Sequence, residues 1–296
     1  MAWPDPAALA GLEARVERAL ADADPAGLTV LGYGEISAVL RLDGGGESWA
    51  CKRLPPFRPG CELEAYQACL EDYLATLGGL GVRVLPTALV ELERPGARVA
   101  YVVQPVVPAE SLLPAALERA SSSEAVGLFG RLVEAVERAV GPRVGLDGQV
   151  SNWAVFDDRL VYLDVTTPML RDERGAERLD TELFLASLPW ALRRLVRRFL
   201  LREILDKYYR PRGVVVDALA NLVKEGLDRL LPALVETLGA RLSPPVTVRE
   251  VRRAYAADAR MWQLLQRLRL LDRAWHRRVR GRTYPFLLPA RIERHV

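Results

Sequence analysis

The spacing of apolar positions changes period several times along the chain, and the changes mark its elements. Asp5-Pro6 supplies an N-cap followed by proline at the first helical position, which predicts a helix running to about Asp24. The period then drops. Leu28–Leu31, Ala38–Leu42 and Trp49–Leu54 are short and strand-like, with a hairpin signal in Asp43-Gly44-Gly45-Gly46 between the last two. A helix is predicted over roughly Cys61 to Leu77, and further strands at Val84-Leu85, Ala88–Leu92 and Val99–Val106. From about Val107 helical spacing dominates. Ser121-x-x-Glu124 is a capping box opening a helix to about Val140, and Thr247-x-x-Glu250 opens another to about Arg278. Two short strands, Trp153–Phe156 and Leu160–Asp164, turn at Asp157-Asp158-Arg159. Long helices are expected over Thr181–Tyr209, kinked near Pro189, and over Asp217–Ala240. The chain thus divides into a sheet-bearing part, residues 1–106, and a mainly helical part, residues 107–296.

Composition narrows the chemistry. The 296 residues are half hydrophobic and about a quarter charged, an ordinary globular balance. A net charge of +3 is too small to imply nucleic-acid binding. No apolar run reaches the ~20 residues of a membrane span, and the first residues lack the basic and apolar regions of a secretory signal. Cys51, Cys61 and Cys69 form no CxxC pair, so a disulfide framework or zinc site is not expected and a reducing cytoplasm fits. With His276 and His295 the sole histidines, a Ser-His or Cys-His mechanism has almost no raw material. Of 41 basic residues only Lys52, Lys207 and Lys224 are lysine, so each lysine position invites a reason.

Four features fall in a telling order. Gly32-Tyr33-Gly34-Glu35-Ile36-Ser37 lies between two strands, where glycines let backbone approach a phosphate. No Lys-Ser/Thr or helix follows, so neither a P-loop nor a dinucleotide fingerprint fits. Lys52 follows on the next strand, on the same face as the small Ala50, which leaves room for a flat base beside an amine. A carboxylate on the following helix, Glu64 with Glu62 as the alternative, is positioned to pair with that lysine. Last come Asp147, Asn152 five residues on, and Asp164 ending a strand twelve residues later. Asp147 is the candidate to accept or orient a proton. Asn152 and Asp164 offer oxygen ligands of the kind magnesium prefers. Singly, each feature is more often a turn, a surface lysine or a loop polar residue; together and in this order they point to phosphoryl transfer.

On these residues the chain resembles the protein-kinase-like superfamily, and most closely its aminoglycoside phosphotransferase and choline kinase branch. The resemblance implies an α+β fold of two lobes: a small antiparallel sheet with one helix, then a mainly helical lobe. It implies ATP and Mg2+ as cofactors and a small-molecule acceptor. Gly32, Gly34 and Ser37 then match the nucleotide loop, Lys52 the phosphate-binding lysine and Glu64 its helix partner. Val103–Val106, with Gln104 and Val106 singled out, match the connector that holds adenine. Asp147 matches the catalytic aspartate, and Asn152 and Asp164 the metal ligands. Gly145 replaces the histidine usual two residues before the catalytic aspartate, Val165-Thr166 replaces Phe-Gly, and Pro105 removes a connector donor. The short stretch after Asp164 leaves little room to dock an extended peptide.

Two other readings stay open beside the enzyme. One is a non-catalytic, pseudokinase-like module that binds nucleotide or a partner. The other concerns residues 249–296, with thirteen arginines against four acids. A solvated face is the plain explanation and a polyanion site the sharper one. Trp190, Trp262 and Trp275 are expected in the core, Cys51 as a small buried hydrophobe, and Tyr208-Tyr209 as possible lining for an acceptor.

Overall fold

The structure is a computed structural model and describes residues 2–34, 38–55, 57, 62–94, 97–182, 185 and 188–289. It is an α+β protein: a five-stranded antiparallel sheet with its helices, followed by a mainly helical half bearing a two-stranded hairpin. Helix α1 (Pro6–Asp22) opens as the sequence predicts, with the Asp5 side chain accepting from the Ala7 N–H. Strands β1 (Val30–Tyr33), β2 (Ala38–Gly44), β3 (Glu47–Arg53), β4 (Ala88–Arg94) and β5 (Ala97–Pro105) form the sheet in the order β1-β2-β3-β5-β4. Helix α2 (Glu62–Gly79) connects β3 to β4.

Strict alternation sorts the sheet's side chains onto two faces. Ala38, Leu40, Leu42, Trp49, Cys51, Tyr101 and Val103 bury against Leu9, Leu12 and Val16 of α1. A buried ion pair ties the layers. Glu13 of α1, with no exposed surface, accepts two bonds from the Arg53 guanidinium at 2.7 and 2.8 Å and one from the Tyr101 hydroxyl. Burial and the Glu13 carboxylate compete at Arg53, and its pKa is held above the usual value. Residues of the opposite face, Ala100 and Val102, join the main core with α2 and the helical half.

That core continues through α3 (Leu113–Arg119), α4 (Ser122–Ala139) and the hairpin β6 (Trp153–Phe156) and β7 (Arg159–Tyr162). The capping box at Ser121 and Glu124 closes in both directions, and Thr247 caps the helix Val248–Arg278 by accepting from the Glu250 N–H. Such caps contribute about 1 kcal/mol each. Two sequence expectations need correction. Thr181–Tyr209 is not one kinked helix: a regular helix starts only after Pro189, at Trp190–Leu195, passes through π-helical Val196–Leu200 and resumes at Leu201–Asp206. Proline suits the start of a helix because it has no N–H to donate backward. Asp217–Ala240 is likewise two helices, Pro211–Lys224 and Leu231–Thr237, with prolines in both first turns and Glu225-Gly226 between them. Val84, expected in a strand, makes only a single bridge to Tyr162.

Candidate functional site

The register of the sheet assembles one side of the site. Gly32 pairs with Val39, Val39 with Lys52 and Lys52 with Val102, so Gly32 and Lys52 stand in one row, two strands or about 10 Å apart. Nothing lies within 4 Å of the Cβ position at Gly32. Gly34 ends this run after β1, and Ser37 lies outside the described residues. Ala50 and Lys52 share the face that looks toward the helical half, as their spacing requires.

The decisive contact crosses between the two halves. The Lys52 Nζ donates to Asp164 Oδ1 at 2.7 Å, joining residues 112 apart in sequence. The Thr166 hydroxyl donates to the same oxygen at 2.7 Å. Burial raises the Asp164 pKa, but the Lys52 ammonium and the Thr166 bonds outweigh it and hold the carboxylate below its ordinary range.

Asp147 and Asn152 come from one loop locked from below. Asn152 Nδ2 donates to the Asp147 carbonyl at 3.5 Å, and the Leu163 N–H donates to the Asn152 carbonyl at 2.9 Å, which carries Asp164 to the same place. Buried Asn221, on the helix Pro211–Lys224, accepts from the Ser151 N–H at 3.1 Å and donates to the Gln149 side chain at 3.3 Å. Gly148 makes this fit possible, since a Cβ there would sit 2.4 Å from Val214 Cγ1.

The Asp147 carboxyl is pushed up to about 7, first by burial and then by the carboxylates of Asp217 and Asp164. The Gln149 N–H, which donates to Asp147 Oδ1 at 3.1 Å, and the Lys207 ammonium pull the other way. Lys207 itself pairs with Asp217 at 3.3 Å. A small cavity beside this loop is lined by Gln149, Asp217, Asn221, Lys224, Tyr255 and Asp258. All three lysines of the chain therefore stand at or next to Asp147 and Asp164. A second cavity, among Val16, Leu20, Leu40 and Leu287, lies on the α1 face of the sheet and is apolar, a packing gap away from this chemistry.

Helix α2 reaches both loops through tyrosines seven residues apart, on one face. The Tyr66 hydroxyl donates to the Thr166 carbonyl and the Tyr73 hydroxyl to the Gly145 carbonyl, each at 2.9 Å. The Asp147 N–H donates to the Tyr162 hydroxyl at 3.3 Å. Gly145 explains the missing histidine: a Cβ there would lie 3.0 Å from Met169 Cβ and 3.2 Å from the Tyr209 ring. Tyr209 fills that space. Its ring lies under the Arg171 guanidinium at 3.7 Å, and Arg171 pairs with Glu177 and Asp206 at 2.7 Å each. Tyr208 and Tyr209 are buried, and the Tyr209 ring is packed against Gly145 and Arg171.

A family model covers nearly this whole assembly, matching residues 11–273, from α1 to the end of the long C-terminal helix. The chain belongs to DUF6206, a family of unknown function. Among curated proteins no match is found. For this member of DUF6206, several sequence-predicted residues take other roles. Glu64 does not partner Lys52: it is exposed and pairs with Arg98, which also holds Glu91. Helix α2 presents the Tyr66 and Tyr73 hydroxyls, not Glu64, to the loops, and Asp164 takes the lysine. The Glu62 side chain lies outside the described residues. Gln104 is buried, donating to Thr87 Oγ1 and to the Leu163 carbonyl at 2.9 Å each, so it braces the metal-loop strand. The Val106 N–H donates to the Ser48 carbonyl at 3.0 Å. Because Pro105 and Pro108 have no N–H, Val107 holds the connector's remaining donor. Asp217, Asn221, Tyr66 and Tyr73 were missed from sequence. Asn221 is the lone amide in an apolar helical run, and Lys207 and Lys224 share the rarity that marked Lys52.

Proposed function

We propose that this chain is an ATP- and Mg2+-dependent phosphotransferase of protein-kinase-like fold that acts on a hydroxyl or amine of a small-molecule acceptor. The single observation that carries the reading is the 2.7 Å contact of Lys52 with Asp164, with Asn152 and Asp147 in the adjoining loop. Lysine has three donors, so the bond to Asp164 leaves two for phosphate oxygens. Asn152 commits its Nδ2 to the Asp147 carbonyl, which leaves its Oδ1 as a hard donor beside the Asp164 carboxylate. Among the described residues no cluster of three or more His, Cys, Asp and Glu side chains suits a metal ion. Two protein oxygens fit magnesium, which usually completes its shell with water and substrate phosphates. When bound, the ion would neutralise charge on the transferred phosphoryl group.

Asp147, its carboxyl pushed up to about 7, is placed to take the acceptor proton near neutral pH. Asn221 and the Gly148 contact hold its loop, and Tyr66 and Tyr73 hold the loop that bears Asp164 in register with it. These are positioning effects, the main resource in phosphoryl transfer. The test is ADP release with ATP and magnesium across a panel of small alcohols and amines. Acceptor-dependent turnover, abolished in Asp147→Asn with nucleotide binding retained, supports the reading. A non-catalytic nucleotide-binding module is the second reading, favoured by the connector, where Val106 spends its N–H on Ser48. Tight nucleotide binding with no product from any acceptor would select it. Absence of nucleotide binding would overturn both.

A further inference from the structure

The long helix Val248–Arg278 has one face in the core and a second apolar row that the fold leaves uncovered. Val251, Tyr255, Ala259, Gln266, Arg269 and Asp272 are buried. Met261, Leu264, Leu271 and Trp275 are 63, 53, 68 and 45% exposed, and Val279, just past the helix, is 60% exposed. This corrects the expectation that Trp275 belongs to the core. With half-buried Leu268 these residues are spaced by three or four, which makes one continuous row about 27 Å long. Arg253, Arg260 and Arg267, all exposed and seven residues apart, run along one flank of that row. Exposed Arg278, Arg280 and Arg282 continue the positive charge at its end. Between residues 259 and 282 the one acid is Asp272, and it is buried.

We propose that this face docks on an anionic lipid bilayer, with Met261, Leu264, Leu271 and Trp275 in the headgroup boundary and the arginine row on lipid phosphates. An exposed apolar stripe carrying tryptophan, flanked by arginines and free of exposed acids, is what an interfacial helix needs. No helix among the described residues is long and apolar enough to cross a membrane, so the helix lies on the surface and does not span it. Other occupants fit less well. A second copy would bring arginine rows of like sign together with no exposed acid between residues 259 and 282 to offset them. A nucleic acid would satisfy the arginines and leave the apolar row in water. A single acidic helix would not reach Arg280 and Arg282, which lie beyond the helix end.

The experiment is flotation of the full chain with vesicles of phosphatidylcholine alone or mixed with phosphatidylglycerol. The protein should float only with the anionic vesicles. Leu271→Glu combined with Trp275→Glu should abolish flotation. Arg253→Gln, Arg260→Gln and Arg267→Gln together should weaken it about a hundredfold, at about fivefold per arginine. Because the replaced side chains are exposed, the thermal midpoints should stay at the parent value. If the double Glu variant unfolds, Leu264→Ser with Leu271→Ser replaces it. No flotation with anionic vesicles at low salt overturns the proposal. So does flotation that needs the arginines but ignores the apolar row, which would mean a simple polyanion site. A dimer abolished by the Leu271 and Trp275 changes, with no vesicle binding, overturns it in favour of a second copy.

Discussion

Replacing Asp147 with asparagine should stabilise the fold while ending turnover, and the gain should depend on pH. In the folded chain the carboxyl is pushed from its ordinary 3.8 to about 7 by burial and then by the neighbouring carboxylates of Asp217 and Asp164. The unfolded chain releases that proton near the ordinary value. Between the two values the native state holds a proton that the unfolded state has lost, so stability falls as pH rises through that window. The loss is complete above about 7. At about 1.4 kcal/mol per pH unit the window is worth at most ~4 kcal/mol. The side chain is only half-buried, and solvent screening reduces this to ~1–2 kcal/mol. Asparagine carries no charge at any pH and keeps an oxygen for the Gln149 N–H, so Asp147→Asn escapes the fall. Urea unfolding of parent and variant at about pH 5 and about pH 8 measures it. The variant should gain more at the higher pH. An equal gain at both, or a loss at the higher pH, would refute the reasoning that burial and like charge strain this carboxylate.

Other predictions follow from single contacts. Lys52→Met removes the partner of Asp164 and should cost about 1.5–3 kcal/mol. Asp164 is held low, so its contribution is present above the ordinary carboxylate value and lost as pH falls through the lowered one. Lys52→Met should therefore move acid unfolding, followed by circular dichroism, to higher pH. Gly148→Ala drives a methyl against Val214 and should cost about 1–3 kcal/mol, partly recovered by adding Val214→Ala in a double-mutant cycle. Glu64→Ala should leave nucleotide affinity unchanged in a binding titration, because Glu64 serves Arg98 at the surface.

Much of this was legible in the chain. Asp5, Ser121 and Thr247 each announced a helix start because capping is settled within four residues. Lys52, Asn152 and Asp164 were legible because their chemistry is tied to strand ends and short loops. Glu64 was not, because helical periodicity says which residues share a face but not which residue of the face meets the site. There, Arg98 on β5 captured the glutamate, and the tyrosines at 66 and 73 took the inward positions. Asp217 acts on Asp147 from a helix seventy residues on, a relation that only tertiary packing creates. The breaks at Pro189 and Gly226 were missed because apolar spacing runs straight through them.

The central claim is that Lys52, Asn152 and Asp164 meet on one magnesium–nucleotide complex. Calorimetric titration of ATP, with and without magnesium, into the parent, Lys52→Met and Asp164→Ala tests it most directly. The account predicts binding by the parent that weakens at least about tenfold without magnesium and in either variant. Equal ATP affinity in all three proteins, indifferent to magnesium, would contradict it.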